Sequence, residues 1–261
     1  MAEPVVDILM YHSVSDRGGA TAIEPATFAA QMDAIAEAGL PVIALDDLLA
    51  ARDGRGALAP HSLILTFDDG FQDFADAAWP VLERHGFRPI VYLPTAHVGR
   101  SEDWRGIADP PRPLMGWGTI AALAAEGVAF GSHSVSHADL DALSPEALHA
   151  ELERSRQRIE DRLGRRVTHF APPYGIAGPA VRAEIARLYR SSVGTRLGRA
   201  RPGDDPFDLP RLEMHYFRDI GRWRAHLAGR GAAYLAARRG LRALRGMVAR
   251  PWQGTVSGSA R

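Results

Sequence analysis

Short apolar runs of strand length alternate along this chain with segments of helical periodicity, and this alternation constrains the fold more than any other feature. Seven runs have the length and composition of buried strands, at residues 5–10, 42–45, 62–67, 90–93, 128–131, 168–171 and 191–195. Segments with helical spacing of apolar residues occupy residues 25–38, 46–51, 73–85, 119–125, 145–163 and 179–189. Repeated βα units of this kind predict a parallel sheet, either open or closed into a barrel.

Residues capable of chemistry directly follow several of these runs. His12 follows the first run, Asp68 and Asp69 follow the third, His133 follows the fifth and Tyr174 follows the sixth. In a barrel the carboxyl ends of all strands converge on one mouth, where the active site lies, whereas an open sheet collects ligands at its switch point. The distribution therefore favours a distorted (β/α) barrel of about seven strands.

Composition excludes several classes of chemistry and of partner. The chain has no Cys, and all 31 basic residues are Arg, which excludes thiol nucleophiles, thiolate ligands, Schiff-base chemistry and the lysine of a P-loop. These 31 basic residues balance 31 acidic residues, so we expect no nucleic-acid partner. Residues 1–7 lack a basic region followed by a long apolar stretch, and no run approaches about 18 apolar residues, so we expect a cytoplasmic location.

Two adjacent carboxylates leave the third strand in the segment Thr66-Phe67-Asp68-Asp69-Gly70. Adjacent side chains diverge at a strand end, so one carboxylate can bind a cation while the other stays free as a base, its pKa governed by the nearby charge. The alternative is a simple Asp-Asp-Gly turn in which one aspartate caps the next helix.

Two imidazoles separated by three residues follow the fifth strand in Gly131-Ser132-His133-Ser134-Val135-Ser136-His137. On one turn of chain this spacing lets both rings face a single ion. Together with one aspartate they would form a His₂Asp set, which suits Zn²⁺ or a similar divalent metal and leaves positions for water and substrate. Such a histidine pair is weak evidence alone, because surface histidines recur at helical spacing, and its weight comes from the combination with the paired aspartates.

With these two motifs in this order, the chain resembles the NodB-homology polysaccharide deacetylases, a group like carbohydrate esterase family 4, over roughly residues 5–217. The resemblance implies a metal-dependent hydrolase that removes N-acetyl groups from acetamido-sugar glycans and releases acetate. By the family pattern, Asp68 is the general base, while Asp69, His133 and His137 hold Zn²⁺ or another divalent metal such as Co²⁺ or Ni²⁺. A third motif, Ala171-Pro172-Pro173-Tyr174-Gly175, gives Tyr174 the role of donating its backbone N–H to the oxyanion, although this turn could also serve packing alone.

The chain departs from the family pattern at two places. Ala171 replaces the motif-three arginine that pairs with the catalytic base, and Arg211 is our candidate substitute, with an ordinary surface arginine as the alternative. The general acid is either His12 or His215. Leu9-Met10-Tyr11-His12 resembles the opening of the circularly permuted branch that includes poly-N-acetylglucosamine deacetylases. We favour His12, because it follows an apolar strand-like run and should emerge at the same mouth as Asp68 and His133.

The C-terminal region has a distinct charge. Residues 217–250 contain nine Arg against the single acidic residue Asp219. We divide the chain into a catalytic domain at residues 1–217, a basic helical extension at 218–250 and a disordered tail at 251–261. The extension could contact an anionic membrane or a partner, or it could be a helix that covers the barrel.

Three functions from different classes are compatible with the sequence. The first is deacetylation of acetamido sugars, which the joint motifs favour. The second is carbohydrate binding by a catalytically impaired NodB-like protein, which the missing motif-three arginine suggests. The third is hydrolysis of cyclic amides or small N-acyl substrates, which would use the same metal and base in a groove of different shape.

Overall fold

Seven parallel strands close into a barrel in the computed structural model, which describes residues 3–104 and 110–248. The barrel strands, in the order in which they are hydrogen-bonded, are β1 (Val5–Tyr11), β4 (His61–Phe67), β5 (Ile90–Leu93), β6 (Ala129–Ser132), β7 (His169–Phe170), β8 (Ser191–Leu197) and β9 (Leu209–Glu213). Two short strands form a separate sheet, β2 (Ser13–Val14) and β3 (Ala22–Ile23). The predicted barrel of about seven strands is confirmed.

Helices surround the barrel. The α-helices are α1 (Pro25–Ala38), α2 (Leu45–Arg52), α3 (Trp79–His85), α4 (Trp117–Ala125), α5 (Pro145–Leu163), α6 (Pro179–Leu188), α7 (Ile220–Ala225) and α8 (Ala232–Val248). Helix α5 begins where the Ser144 side chain accepts a hydrogen bond from the Ala147 N–H, with Pro145 at its first position. It ends at Gly164, whose φ of 64° is the left-handed conformation that glycine adopts without strain.

Alternation along the strands divides the core into two parts. Val6, Ile8 and Ile64 belong to a buried cluster inside the barrel. Leu9 and Leu63, at the odd positions of β1 and β4, belong to a larger cluster that includes residues of the surrounding helices. The same alternation turns the side chains at the even positions of β4 toward the interior, and it continues to the mouth of the barrel.

The structure corrects the prediction of a strand at residues 42–45. Only Val42 makes a bridge, to Leu63 on β4. Helix α2 begins at Leu45, because the Asp47 carboxylate accepts a hydrogen bond from the Ala44 N–H and so favours a helical turn there. The seventh barrel strand is β9 instead, which lies beside β1.

The first part of the basic extension packs on the barrel. Trp223 and Leu235 are buried in the core shared with the helices. The buried Asp7 carboxylate of β1 contacts three side chains. Its Oδ2 lies 2.8 Å from His226 Nε2 of the extension and 2.8 Å from His61 Nε2, and its Oδ1 accepts from Arg199 Nε at 2.8 Å. The domain boundary after residue 217 stays a prediction, and the tail expected at residues 251–261 lies outside the described residues.

In residues 3–104 and 110–248, no helix combines the length and the apolar character needed to cross a membrane.

Candidate active site

The paired aspartates leave β4 through a tight turn. Asp69 has a φ of 72° and Gly70 a φ of 68°, so two consecutive residues adopt the left-handed conformation. A Cβ at Gly70 would lie 2.6 Å from the Leu93 side chain, which restricts this position to glycine. The turn sends Asp68 and Asp69 in different directions, as the sequence suggested for two carboxylates with different tasks.

Asp69, His133 and His137 converge on one point. Their ligand atoms all lie within 4.8 Å of one another, and Asp69 Oδ1 is 3.3 Å from Nε2 of each histidine. All three side chains are buried, and Asp69 Oδ1 makes no hydrogen bond among the described residues. A buried carboxylate oxygen without a donor, facing two imidazole nitrogens, fits a divalent cation.

A backbone carbonyl fixes the orientation of His133. The Ala171 oxygen lies 2.6 Å from His133 Nδ1, and because a carbonyl can only accept, this nitrogen carries the proton. Nε2 is then left as the bare nitrogen that a metal ligand requires. The motif-three residue Ala171 therefore orients His133 through its main chain.

The pKa values of the two aspartates are lowered against the effect of burial. Burial alone would raise the pKa of Asp69, but His133 and His137 hold it well below its ordinary value. The pKa of Asp68 also lies below its ordinary value, because the charge and hydrogen bonds of Arg211 outweigh burial. Both carboxylates are thus anionic at neutral pH.

The loop that carries the two histidines is strained and held from α5. Ser134 and His137 have φ values of 66° and 56°, a region that residues other than glycine rarely adopt. The Glu151 carboxylate accepts hydrogen bonds from the Val135 N–H at 2.8 Å and from the N–H and Oγ of Ser136, each at 2.9 Å. Ser134 Oγ also accepts from the His137 N–H at 3.1 Å. These contacts hold the loop in its strained form.

Arg211 pairs with Asp68. Its Nη1 and Nη2 each lie 2.7 Å from a different Asp68 oxygen, and both residues are buried. The guanidinium also donates to Thr66 Oγ1 at 3.1 Å and to the Gly194 carbonyl at 2.8 Å. A two-point contact of this kind fixes both the position and the charge of the carboxylate.

His12 lies beside Asp68 at the mouth of the barrel. His12 Nε2 is 3.8 Å from Asp68 Oδ2, and its side chain keeps some exposure to solvent. The segment after His12 is fixed by Asp73, which accepts from Ser13 Oγ at 2.5 Å and from the Val14 N–H at 3.1 Å. The charged neighbours of His215 are Arg218, Arg238 and Glu24, and its pKa is lowered by burial and by the two arginines.

Tyr174 lies against His137 in a tight turn. Its φ is 58°, and its ring meets the His137 ring edge to face at 4.7 Å. Gly175 follows with a φ of 67°, and a Cβ there would lie 2.2 Å from the Thr195 side chain. The turn therefore packs closely against β8, with the Tyr174 ring beside His137.

Comparison with known proteins agrees with this arrangement. The sequence profile of the polysaccharide deacetylase family matches residues 55–191, which is more than half of the chain. The chain belongs to the polysaccharide deacetylase family. It is accordingly an enzyme, a hydrolase of the deacetylase class.

Individual relatives of this polysaccharide deacetylase are distant. YxkH of Bacillus subtilis, named as a polysaccharide deacetylase, is 22% identical over 210 residues, which cover 79% of this chain and 70% of YxkH. The chitin deacetylase of Pestalotiopsis sp is 27% identical over 115 residues, 44% of this chain and 35% of that enzyme.

Two solved structures share the fold over most of the chain. IcaB from Ammonifex degensii superimposes with a TM-score of 0.72 at 22% identity, covering 88% of this chain and 98% of IcaB. The Streptococcus pyogenes deacetylase PplD, in complex with acetate, gives 0.71 at 23% identity, covering 81% of this chain and 92% of PplD.

Two residues of this deacetylase site were not found from the sequence. Trp104, in the loop after β5, stacks on the His137 ring with centroids 4.3 Å apart. Glu213, at the end of β9, lies close enough to His12 and Asp68 for their charges to affect it, and burial raises its pKa. Neither stands in a motif, although Trp104 could have been suspected as an aromatic residue in a polar loop at the mouth.

Proposed function

We propose that the protein is a metal-dependent N-deacetylase of acetamido-sugar glycans, of the N-acetylglucosamine type. The observation that carries this proposal is the juxtaposition of the Asp69, His133 and His137 set with the Asp68–Arg211 pair and His12. An amide hydrolase needs an electrophilic centre, a base and an acid at one mouth, and these groups supply all three.

Asp69, His133 and His137 would hold a single divalent ion, with Zn²⁺ as our first expectation and Co²⁺ or Ni²⁺ as alternatives. Two imidazoles and one carboxylate are a donor set that all three metals accept. Such a metal would polarise the acetamide carbonyl and lower the pKa of a water molecule.

The residues of the chain would then carry the proton transfers. Asp68 takes a proton from the attacking water, and Arg211 holds the carboxylate anionic and in position for this step. The Tyr174 N–H donates to the carbonyl oxygen as negative charge develops there. His12 protonates the sugar nitrogen as the C–N bond breaks, so that acetate and an amino sugar are released.

His12 is our choice as the acid because it lies beside Asp68, whereas the charged neighbours of His215 are Arg218, Arg238 and Glu24. This choice goes together with the circularly permuted arrangement, in which the acid precedes the other motifs. The cytoplasmic location stays a prediction.

Acetate release from N-acetylglucosamine oligomers tests the proposal. We expect activity that is lost on chelation and restored by Zn²⁺, and an Asp68→Asn variant that binds Zn²⁺ while losing about 10² to 10⁴ in kcat. Oligomer binding without acetate release from the Zn²⁺-loaded protein would favour a carbohydrate-binding role instead. Release of acetate only from small N-acyl compounds would favour an amidase.

A further inference from the structure

A basic groove lies between the end of β8 and helix α8. Its lining consists of Thr195, Arg196, Leu197, Arg239 and Arg242, and its volume is about 370 Å³. Three of these five residues carry a positive charge and none carries a negative one. The groove is therefore a local concentration of positive charge on a chain whose formal net charge is zero.

This basic groove adjoins the catalytic groups on two sides. Thr195 supports the turn at Gly175, the residue directly after Tyr174. Leu197 pairs across the sheet with Arg211, the residue that binds Asp68. A ligand group in the groove would thus lie beside a sugar whose acetamide is at the catalytic centre.

Two of the three guanidinium groups are available. Arg196 is engaged by Asp208, whose backbone oxygen accepts at 2.9 Å and whose Oδ2 lies 3.4 Å from Nε. Arg239 is exposed and Arg242 is half-buried, and neither forms a hydrogen bond or ion pair with another residue in the ranges 3–104 and 110–242. The charge of Arg242 also acts on Glu213 at the rim of the mouth, which places this arginine close to the catalytic site.

We propose that the basic groove binds an anionic group of the substrate, next to the acetamido sugar that is deacetylated. This inference rests on the proposed function and narrows its substrate class to acidic acetamido glycans or phosphorylated acetamido sugars. Guanidinium groups recognise phosphate and carboxylate oxygens by paired hydrogen bonds, and unpaired arginines beside a cleft raise the local concentration of anionic ligands. A neutral glycan would make no use of these charges.

Matched substrates and ligands test the groove. N-acetylglucosamine 1-phosphate represents the phosphate source, and a disaccharide of N-acetylglucosamine and glucuronic acid represents the carboxylate source. N,N′-diacetylchitobiose is the neutral reference. We compare the wild type with R239Q/R242Q, measuring acetate release by Zn²⁺-loaded enzyme and, separately, ligand binding by calorimetry.

We expect the double variant to bind one of the anionic ligands about fivefold more weakly, with the KM for the same compound raised similarly and the neutral reference unchanged. The loss should shrink as salt is added, because exposed charges are screened. The ligand that shows the loss identifies the source of the anion.

The control is R154Q/R158Q. Arg154 and Arg158 are also exposed arginines on one helix, α5, and neither forms an ion pair with a described residue. The proposal would be overturned if both double variants had equal effects, or if R239Q/R242Q weakened binding of neutral and anionic ligands equally. It would also be overturned if the wild type bound the anionic ligands no more tightly than the neutral reference. Selective anion binding without any acetate release would retain the groove and reject the deacetylase function, so the two failures are distinguishable.

Discussion

Glu151 offers the sharpest test of how the loop that carries His133 and His137 is held. Its carboxylate accepts three hydrogen bonds from Val135 and Ser136, at 2.8 Å, 2.9 Å and 2.9 Å, and it makes them from helix α5, outside every motif. In a Glu151→Ala variant the loop loses all three hydrogen bonds, but the backbone strain at Ser134 and His137 is still present and favours a change of conformation. We expect the loop to relax and the two histidines to separate.

The magnitude follows from the bonds and from the strain. A hydrogen bond to a charged group contributes about 1.5 to 3 kcal/mol, and water replaces part of each lost contact. Strained residues of this kind cost about 1 to 3 kcal/mol each, so relaxation is favourable once the carboxylate is gone. A net loss of about 1.4 to 2.8 kcal/mol corresponds to a 10- to 100-fold weaker affinity for Zn²⁺.

Zn²⁺ affinity is measured by competition between the metal-free protein and a chelating dye. Glu153→Ala is the control, because Glu153 lies on the same helix and, among the residues that the structure describes, forms an ion pair only with the surface residue His149, at 3.2 Å. Thermal melts of both metal-free variants establish that they are folded. A folded Glu151→Ala protein that binds Zn²⁺ within twofold of the wild type would refute the reasoning.

Three further predictions concern the general acid, the residue Asp73 that holds the segment after His12, and the buried Asp7 of β1. His12→Ala should lower kcat by about 10² to 10⁴ and leave the Zn²⁺ affinity unchanged, whereas His215→Ala should leave kcat nearly unchanged. The opposite result in acetate-release kinetics would identify His215 as the acid, as in the unpermuted arrangement. Asp73→Ala frees Ser13 and Val14, so it should lower kcat about tenfold while leaving Zn²⁺ affinity unchanged, and an unchanged kcat would remove Asp73 from the support of His12. Asp7→Asn should lower the free energy of unfolding at pH 7 by about 3 kcal/mol, measured by urea titration. Hydrogen bonds from His226 and His61 outweigh burial and hold the pKa of Asp7 well below its ordinary value, so the stabilisation is present above about pH 4 and is lost as the pH falls further. A difference between wild type and Asp7→Asn that does not shrink in acid would contradict this account.

Contiguous motifs made much of the site predictable. The paired aspartates and the histidine pair each stand within a few residues at a strand end, so local sequence determines both their chemistry and their place at the mouth of the barrel. The strands could be located because their apolar runs are short and bounded. The strand predicted at residues 42–45 was wrong because the apolar run has the length of a strand, whereas the contact of the Asp47 carboxylate with the Ala44 N–H favours the start of a helix there.

Contacts between distant segments could not be predicted in this way. Glu151 and Trp104 reach the histidine loop from α5 and from the loop after β5, and their contacts depend on how those segments pack. Glu213 stands at the mouth only because β9 lies beside β1, and a single carboxylate after a strand carries no signal of its own. The role of such residues depends on which segments pack together, so it becomes visible only in the three-dimensional structure.

Arg211 was only partly predictable. The absence of arginine from the third motif predicted that another cation pairs with Asp68, but the position of that cation in the fold was visible only in the structure. β1 lies between β4 and β9, so Asp68 and Arg211 belong to strands separated by two interstrand spacings, about 10 Å. A long side chain that points into the barrel can span that gap, and Arg211 does so with two contacts of 2.7 Å to Asp68. A buried carboxylate without a cationic partner is costly, and the two-point contact with Arg211 supplies that partner. Arg211 on β9 therefore meets, from a different strand, the electrostatic requirement that the family pattern assigns to the third motif, that a buried Asp68 has a cationic partner.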